Sequence, residues 1–306
     1  MTEQEAKSML SAALELGISY LDTAPWYGCG LAELRVGSFL REAESRADSM
    51  VISTKVGRWF HPRDDRPAEP RWKGGFKHPP HMGYKRDDIL RSFDQSLLRM
   101  GVDSVDLLAV HDLDHGYHGT QYDEHFRDLA DSGAQAMMDL RDAGYVTGVG
   151  IAVNGIGYVG SLFELAPWDF VVAAGPVTLL ESQFMAGEGE IIREAGASII
   201  VGSPLQSGVL TGSKGSDRAR SSYKYRQASA ELLDRVRRIE SVCHEFEVTI
   251  MAAAIQYPFR FPHVASVIAG PRTLEQLRGL VDSFEKPIPQ DLWDRLETVG
   301  LIARSV

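Results

Sequence analysis

The sequence contains a set of side-chain types suited to moving a proton to or from a substrate oxygen, namely Asp22, Tyr27, Lys55 and His111. A free tyrosine has a pKa of about 10, but a nearby lysine ammonium favours the phenolate and lowers that pKa. An aspartate would keep the lysine charged and oriented, and a histidine would hydrogen-bond the substrate oxygen. Tyr27 would then act as a general acid or base. No metal is required, because cations and hydrogen-bond donors stabilise the developing oxyanion.

Three of these side chains stand at or near the ends of predicted strands. The apolar runs Ile18–Asp22, Met50–Val56 and Val105–His111 predict these strands, and Tyr27 lies on the loop after the first. The ends of parallel barrel strands converge on one rim, so the four side chains are expected to lie close together. The alternatives are an aspartate that caps a helix, a surface tyrosine and an edge-strand lysine that reaches solvent.

The order of the elements predicts the fold class. A capping box at Thr2 and Glu5 opens a helix that Gly17 ends, and strands and helices then alternate to the end of the chain. Four further strands are predicted, over Val146–Val153, Trp168–Ala174, Ala197–Gly202 and Val264–Ala269. This pattern predicts an α/β fold, a (β/α)8 TIM barrel in a single domain over residues 1–306. The first strand of such a barrel is expected before the opening helix, where this chain has no residues.

Helices are predicted between the strands, and their ranges include Leu31–Glu42, Lys85–Met100, Arg127–Ala143, Ile156–Leu165, Glu188–Glu194, Ala228–Glu247, Thr249–Phe259, Leu274–Phe284 and Leu292–Ala303. Two long loops, 57–84 and 203–226, interrupt the alternation. The first contains aromatic residues, including Trp59 and Trp72, so we interpret it as a lid rather than as disorder.

Composition excludes several classes of protein. The 306 residues are 44% hydrophobic, with a net charge of −10 and two cysteines. The charge argues against a nucleic-acid surface, and no apolar run is long enough for a membrane span. With no recognisable signal peptide and no disulfide framework, we expect a cytoplasmic protein with a small-molecule substrate.

The chain resembles the aldo-keto reductases. Its motifs Asp22-Thr-Ala-Pro-Trp-Tyr27-Gly, Ser53-Thr-Lys55-Val, Asp106-Leu-Leu-Ala-Val-His111 and Ser203-Pro-Leu-Gln-Ser-Gly208 carry the likeness. The resemblance implies a (β/α)8 barrel and a nicotinamide dinucleotide cofactor. It also implies that Tyr27 is the general acid or base, that Lys55 and Asp22 tune it, and that His111 orients the substrate.

The same resemblance implies cofactor-binding residues, which are Asn154, Gln183, Ser203, Pro204, Leu205, Ser207, Gly208, Gly270, Arg272 and Gln276. The aromatic residue that often stacks on the nicotinamide is replaced by Gly202. Many members place positively charged residues at the adenosine 2′-phosphate, and the uncharged Gly270 and Gln276 occupy those positions here. The resemblance therefore favours NAD, with NADP possible because Arg272 would still reach a phosphate.

Within the family, the chain is similar to the aldose 1-dehydrogenase and pyridoxal 4-dehydrogenase branch. Lys55-Val-Gly-Arg58, Arg91-Ser-Phe-Asp-Gln-Ser-Leu, His111-Asp with His115-Gly, and Gly150-Ile-Ala-Val-Asn154 carry this likeness. It implies oxidation of a cyclic hemiacetal, either an aldose such as L-fucose, D-arabinose or D-galactose, or pyridoxal, to its lactone. Trp26 and Trp59 would wall the substrate pocket. The alternatives are an NADPH-dependent reductase of aldehydes or ketones, and a non-catalytic nucleotide-binding subunit.

Two further patterns are assigned no role in binding or catalysis. Gly28-Cys-Gly30-Leu-Ala-Glu33 is a near match to the dinucleotide fingerprint but ends in glutamate, so we interpret it as a turn. The acidic and histidine-rich residues from His111 to His118 are irregularly spaced on an expected exposed loop. This spacing favours solvated side chains over a metal site.

Overall fold

The computed structural model describes residues 1–63, 65–68, 74–212, 222–223 and 226–303. The chain forms two compact units. The first comprises Met1–Val153 with Tyr158–Val171, and the second comprises Asn154–Gly157 with Val172–Val306.

The first unit is built on the strands that carry the predicted acid–base residues. They are β1 (Tyr20–Asp22), β2 (Val51–Val56), β5 (Leu107–His111) and β6 (Gly148–Val153), followed by the start of β7 (Phe170–Ala174), and they are adjacent in that order. Neighbouring strands pair in parallel, with Asp22 opposite Ser53, Lys55 opposite Ala109 and His111 opposite Ala152. The carboxyl ends of β1, β2 and β5 therefore lie side by side, as the sequence predicted.

The segment 57–84 is more ordered than a loop in the part that the structure describes. Its ends pair as an antiparallel hairpin of β3 (Arg58–Trp59) and β4 (His81–Met82). The Phe76 amide donates to the Cys29 carbonyl at 2.8 Å. A Cβ on Gly75 would lie 1.8 Å from the Gly28 carbonyl oxygen. The sequence prediction of an irregular segment missed these contacts, which hold it against the loop that carries Tyr27.

The helices of the first unit surround its strands. They are α1 (Glu3–Glu15), α2 (Leu31–Ala43), α3 (Arg86–Met100), α4 (His115–His118), α5 (Tyr122–Asp128), α6 (Ala134–Asp142) and α7 (Val159–Phe163). The capping box predicted at Thr2 and Glu5 is present. The segment from Asp112 to Tyr122 is not simply a loop, because α4 and a 3-10 turn over Gly119–Gln121 occupy most of it. The helix predicted over Arg127–Ala143 begins earlier, at Tyr122, and a π-helical turn at Leu129–Gly133 divides it.

The second unit continues the alternation. Its strands are the end of β7, then β8 (Ser198–Gly202) and β11 (Val264–Ile268), and β8 pairs with β11 in parallel. Its helices are α8 (Gln183–Ala186), α9 (Glu188–Glu194), α10 (Ala230–Glu245), α11 (Ile250–Gln256), α12 (Leu274–Glu285) and α13 (Gln290–Thr298). Two short strands, β9 (Ser222–Tyr223) and β10 (Arg226–Gln227), lie within the segment expected to be a loop, and the rest of it after Gly212 lies outside the described residues. No helix in the described parts of the chain is both long and apolar enough to cross a membrane.

A buried ion pair joins α2 to α3 and explains the glutamate of the near-fingerprint. Glu33 is fully buried, accepts a hydrogen bond from the Thr54 hydroxyl at 2.6 Å and is bound by Arg99 Nε at 2.6 Å. Gly37, one turn later on α2, lies so close to α3 that an added Cβ would be 2.1 Å from the Met100 carbonyl oxygen. The turn after β1 therefore leads into a helix fixed by packing and charge, which agrees with the structural interpretation of this motif.

We expect Gly37→Ala to destabilise the protein, although alanine is the better helix former. The clash with the Met100 backbone should cost about 1–3 kcal/mol of unfolding free energy. Gly279 on α12 is the matched control, because an added Cβ there would make only an ordinary contact with Met251 at 3.7 Å. Gly279→Ala should be neutral or stabilising by up to about 1 kcal/mol. Urea denaturation measures both, and a Gly37→Ala variant as stable as the parent would contradict the close helix packing.

Candidate active site

A buried ion pair between Lys55 and Asp22 forms the base of the predicted acid–base cluster. Lys55 Nζ lies 2.9 Å from Oδ1 and 2.7 Å from Oδ2 of Asp22, and 2.8 Å from the Thr23 carbonyl oxygen. Both side chains are almost fully buried, at 2% and 6% exposure. The ammonium thus has an acceptor for each of its three donors, which a lysine in a strand interior requires. The alternative of an edge-strand lysine that reaches solvent is wrong.

Desolvation lowers the pKa of Lys55, but the attraction of Asp22 outweighs it, and the net pKa is raised above its ordinary value. Lys55 is therefore charged at every physiological pH.

The register of β1 and β2 explains why these two side chains meet. Ser53 lies opposite Asp22, and its hydroxyl donates to Asp22 Oδ1 at 2.6 Å. Tyr20 in turn donates its hydroxyl to Ser53 Oγ at 2.9 Å. Both residues alternate with the acid–base positions along their strands and thus face the same side of the sheet. Sequence reasoning treated them only as strand residues, although their period-two spacing from Asp22 and Lys55 was a usable signal.

Tyr27 lies close to both the lysine and the histidine. Its ring centroid is 4.8 Å from Lys55 Nζ and 5.9 Å from the His111 ring, which it meets edge-on at 88°. Tyr27 is 36% exposed, so it is the accessible member of a cluster whose other side chains are buried. The structure therefore brings all four predicted residues of the first unit together.

The pKa of Tyr27 shifts in the opposite direction to the one the sequence suggested. Desolvation is the largest cause and raises it, Lys55 lowers it, and the carboxylates of Asp22 and Asp112 raise it further. The net pKa lies above its ordinary value of about 10. Lys55 does favour the phenolate, but Asp22 cancels much of its charge. At neutral pH Tyr27 is consequently a phenol that can donate a proton.

His111 is buried at the end of β5, where one neighbour lies beside its ring and another binds its backbone carbonyl. Its Nε2 lies 3.3 Å from Asp112 Oδ2, and Tyr84 donates its hydroxyl to the His111 carbonyl at 2.8 Å. Its Nδ1 has no hydrogen-bond partner among the described residues. Desolvation is the main reason that the pKa of His111 is well below its usual range, while Asp112 opposes this shift and Arg58 and Lys55 add to it. His111 is therefore a neutral imidazole.

Sequence reasoning missed a second buried ion pair beside His111. Arg58, on β3, is fully buried and donates from Nη2 to Asp112 Oδ2 at 2.8 Å. Asp112 directly follows β5 and has a left-handed backbone, with φ of 51°. The signal was present in the quoted motifs, since Arg58 follows Lys55 by three positions and Asp112 follows His111, but the sequence alone could not show that they meet.

The acidic and histidine-rich segment is only partly exposed: residues 115–117 are exposed as expected, but most of its acidic and histidine side chains are not. His111, Asp112, Asp114 and His118 are all buried. Asp114 caps α4 by accepting from the Tyr117 amide at 2.8 Å, and His118 Nε2 lies 2.8 Å from the Tyr84 hydroxyl. No group of metal-ligating side chains occurs in the described residues. Hydrogen bonding within the fold, rather than hydration, accounts for these polar side chains.

The two tryptophans proposed for the pocket wall have different surroundings. Trp26 lies beside the Arg58 guanidinium, 5.9 Å from ring centroid to Cζ. Trp59 stacks on His81 with centroids 4.4 Å apart and planes 11° apart, and Arg91 lies 4.4 Å from the Trp59 centroid. Both tryptophans thus contact protein side chains, and their part in a pocket wall stays a prediction. Trp72, another aromatic of the predicted lid, lies outside the described residues.

The second unit contains the loop predicted to bind the cofactor pyrophosphate, Ser203–Gly208. Ser203, Gln206 and Ser207 all have left-handed backbones, with φ of 56°, 46° and 56°. Such conformations are uncommon for residues other than glycine and often occur at ligand sites, where successive amides form an anion-binding concavity. The Gln206 side chain holds the loop by donating to the Gly175 carbonyl at 2.6 Å, while Ser203 and Ser207 are exposed. These features fit a bound phosphate group.

The other predicted cofactor residues of this unit are accessible but differ in their engagement. Asn154, Gln183, Gly270 and Arg272 are exposed. Gln276 is also exposed, yet its Oε1 accepts from the Arg272 amide at 2.8 Å at the start of α12, so it has a capping role.

The packing around Gly202 explains why the aromatic residue that often stacks on the nicotinamide is absent from this position. A Cβ there would lie 3.3 Å from Ala174 Cα, so a large side chain would require the neighbouring strand end to move.

Comparison with known proteins identifies the family. The model of the aldo/keto reductase family matches residues 1–300. The chain belongs to the aldo/keto reductase family. Pyridoxal 4-dehydrogenase from Microbacterium luteolum is 34% identical over 314 residues, which cover 99% of this chain and 90% of that protein. D-threo-aldose 1-dehydrogenase from a Pseudomonas species is 33% identical over 308 residues, with the same coverage of 99% and 90%.

The fold class is confirmed by the solved structures. An aldo-keto reductase from Bacillus halodurans, in its holo form, matches with a TM-score of 0.76 at 22% identity, covering 100% of this chain and 89% of the other. The (β/α)8 prediction and the resemblance to the aldose and pyridoxal dehydrogenase branch are therefore correct, and the protein is an oxidoreductase by family. The roles of individual residues and the single-domain organisation stay predictions.

We expect Lys55→Met to lower the unfolding free energy by about 3–5 kcal/mol, because it leaves the Asp22 carboxylate buried without its counter-ion. The double variant Lys55→Met/Asp22→Asn should recover much of this loss, since it removes both charges. Asp139→Asn breaks the exposed pair with Arg86 and should change stability by less than about 1 kcal/mol. Urea denaturation compares the three. A double variant as unstable as Lys55→Met would show that the two charges are not coupled.

Proposed function

We propose that the protein is a nicotinamide-dependent dehydrogenase that oxidises a cyclic hemiacetal to its lactone. The observation that carries the proposal is the cluster in which Tyr27 stands 4.8 Å from Lys55 Nζ and edge-on to the neutral His111. Likeness to a pyridoxal dehydrogenase and an aldose dehydrogenase supports a hemiacetal as the substrate.

Each residue of the cluster has a distinct part in the proposed reaction. His111 hydrogen-bonds the oxygen of the reacting carbinol, and Tyr27 takes the hydroxyl proton from that oxygen. Lys55 stabilises the tyrosinate needed for that step, and Asp22 keeps Lys55 charged and aimed. Trp26 walls the pocket against the substrate ring, where an aromatic face suits either a sugar or a pyridine.

The cofactor is proposed to be NAD, with NADP as the alternative. When bound, a nicotinamide dinucleotide supplies the acceptor for the hydride that leaves the carbinol carbon. Ser203–Gly208 would hold its pyrophosphate, because the left-handed backbone of this loop suits an anion. Asn154 and Gln183 would hold the nicotinamide end. Gly270, Arg272 and Gln276 would meet the adenine end, where Arg272 is the cation among these three residues and Gln276 contacts its amide.

A second function, reduction of an aldehyde or ketone, is favoured by one observation. The raised pKa of Tyr27 makes it a phenol at neutral pH, which is the form that donates a proton to a carbonyl. Oxidation needs the tyrosinate, so its rate should rise with pH, whereas reduction should weaken as Tyr27 loses its proton. The two directions are therefore distinguished by opposite pH profiles.

Initial rates with NAD⁺ and NADP⁺ test the substrate class. The substrate panel is L-fucose, D-arabinose, D-galactose and pyridoxal, at mildly alkaline pH. We expect lactone formation with at least one of them, with NAD⁺ preferred, because Arg272 is the one cation among the three residues predicted to meet the adenine end. Folded protein that binds cofactor but oxidises none of the panel would contradict the dehydrogenase proposal. Activity with carbonyls in the reverse direction would then favour the reductase, and its absence a binding subunit.

Tyr27→Phe should lower kcat by about 10²–10⁴-fold, the usual contribution of a general acid or base. Cofactor affinity, measured by fluorescence titration, should stay nearly unchanged, because only the hydroxyl is removed. Tyr145→Phe is the matched control, since Tyr145 is exposed on the same unit. Equal kcat values for the Tyr27→Phe variant and the parent would remove Tyr27 from the proposed mechanism.

A further inference from the structure

Arg58 is a fully buried cation. Among its side-chain nitrogens, Nη2 is the one that has a hydrogen-bond partner in the described part of the chain. Its Nε and Nη1 are buried without a hydrogen-bond partner among the described residues, and its Cζ lies 4.6 Å from the Tyr117 ring centroid. Burying a guanidinium in this way is costly, and stability alone is a weak reason to keep it, because a buried ion pair is often replaceable by apolar side chains. Its position beside the acid–base cluster suggests a different reason.

Asp112 connects Arg58 to His111 through a single carboxylate oxygen. Oδ2 lies 2.8 Å from Arg58 Nη2 and 3.3 Å from His111 Nε2. A carboxylate next to one ring nitrogen stabilises a proton on that nitrogen and leaves the lone pair on the other. Here it favours the tautomer with the proton on Nε2, in agreement with the lack of a described partner for Nδ1.

The two charges act in opposite directions on His111. Asp112 alone would favour a second proton on the ring, and so the imidazolium. Arg58 offsets this attraction, because its positive charge disfavours a further cation nearby and stabilises Asp112 as the carboxylate. The pair as a whole therefore orients the ring without charging it.

We propose that Arg58 is a positioning residue that acts through Asp112 and keeps His111 neutral with its proton on Nε2. This inference rests on the proposed function for its effect on the reaction, since His111 then offers a defined N–H donor to the substrate oxygen. Asp112 Oδ2 lies 3.3 Å from His111 Nε2 and acts on the ring through its charge, so the N–H of Nε2 stays available to a substrate oxygen.

Other charged and titratable groups also face His111. Lys55, from β2, adds positive charge, and Tyr27, from the loop after β1, meets the ring edge-on. Tyr84 binds the His111 carbonyl rather than its ring, and β6 contributes only Ala152 opposite it. We therefore expect the protonation of the His111 ring to change most when Asp112 or its partner Arg58 is replaced.

Nitrogen NMR of the histidine side chains, with His111→Asn to assign the His111 signal, tests the inference without using activity. In the parent protein the signal should report a neutral ring with the proton on Nε2 from about pH 6 to pH 8. In Arg58→Met, Asp112 loses its ion pair with Arg58, and the pKa of His111 should rise by at least about one pH unit. The double variant Arg58→Met/Asp112→Asn removes both charges and should return His111 to neutrality.

Turnover provides the second readout. The acidic limb of the pH profile of kcat in Arg58→Met should move upward with the His111 pKa, and the double variant should return towards the parent profile. Arg141→Met is the matched control, because it breaks an Arg–Asp pair with Asp169 in the same unit without contacting His111. It should change neither the NMR signal nor the pH profile.

The outcomes separate this inference from the proposed function. A proton on Nδ1 in the parent would overturn the inference even if Arg58→Met failed to fold, and so would an unchanged His111 titration in a folded Arg58→Met. The predicted changes at His111 with rescue in the double variant would support it. A parent protein without turnover on any substrate would overturn the proposed function, while the NMR result would still decide the state of His111.

Discussion

The ion pair between Lys55 and Asp22 is the interaction on which the rest of the site depends. It exists only because β1 and β2 pair in parallel with Asp22 opposite Ser53, and a shift of one residue would turn Lys55 to the other face of its strand. An unpaired ammonium at 2% exposure would be strongly unfavourable, so the pair also specifies the register of the two strands. The same contact that aims the lysine at Tyr27 thus helps to define the local fold.

Desolvation and charge act against each other at the two reacting groups. Desolvation disfavours the charged form of any group, so it raises the pKa of Tyr27 and lowers the pKa of His111. Lys55 opposes the shift at Tyr27, and Asp112 opposes the shift at His111. Each of these charges is itself paired, Lys55 with Asp22 and Asp112 with Arg58. Both groups are therefore neutral near pH 7, one as a phenol and the other as an imidazole. In the proposed reaction, a site set in this way would transfer a proton without leaving an unpaired buried charge.

The sequence was informative where function depends on order along the chain and less so where it depends on packing. Strand ends in a parallel sheet converge for topological reasons, which made the grouping of Asp22, Lys55 and His111 predictable. The Arg58–Asp112 pair joins residues 54 positions apart, and nothing in the composition of either segment requires them to meet. The direction of the Tyr27 pKa shift was missed for the same reason, because desolvation is a property of the packed neighbourhood. Polar side chains such as His118 indicated an exposed loop, although they are buried by hydrogen bonding to Tyr84.

The loop from Ser203 to Gly208 illustrates a signal that sequence reasoning can locate but not explain. The motif marked the position, yet serine and glutamine give no indication of the left-handed backbone that Ser203, Gln206 and Ser207 adopt. Each such backbone conformation costs about 1–3 kcal/mol of stability and persists only where the surrounding structure imposes it. Gln206 provides that constraint, since its buried side chain donates to Gly175 and to Thr178 and so holds the loop from below. A loop held in this way before a ligand arrives does not need to be ordered on binding, and this preorganisation is a reason to retain the strain.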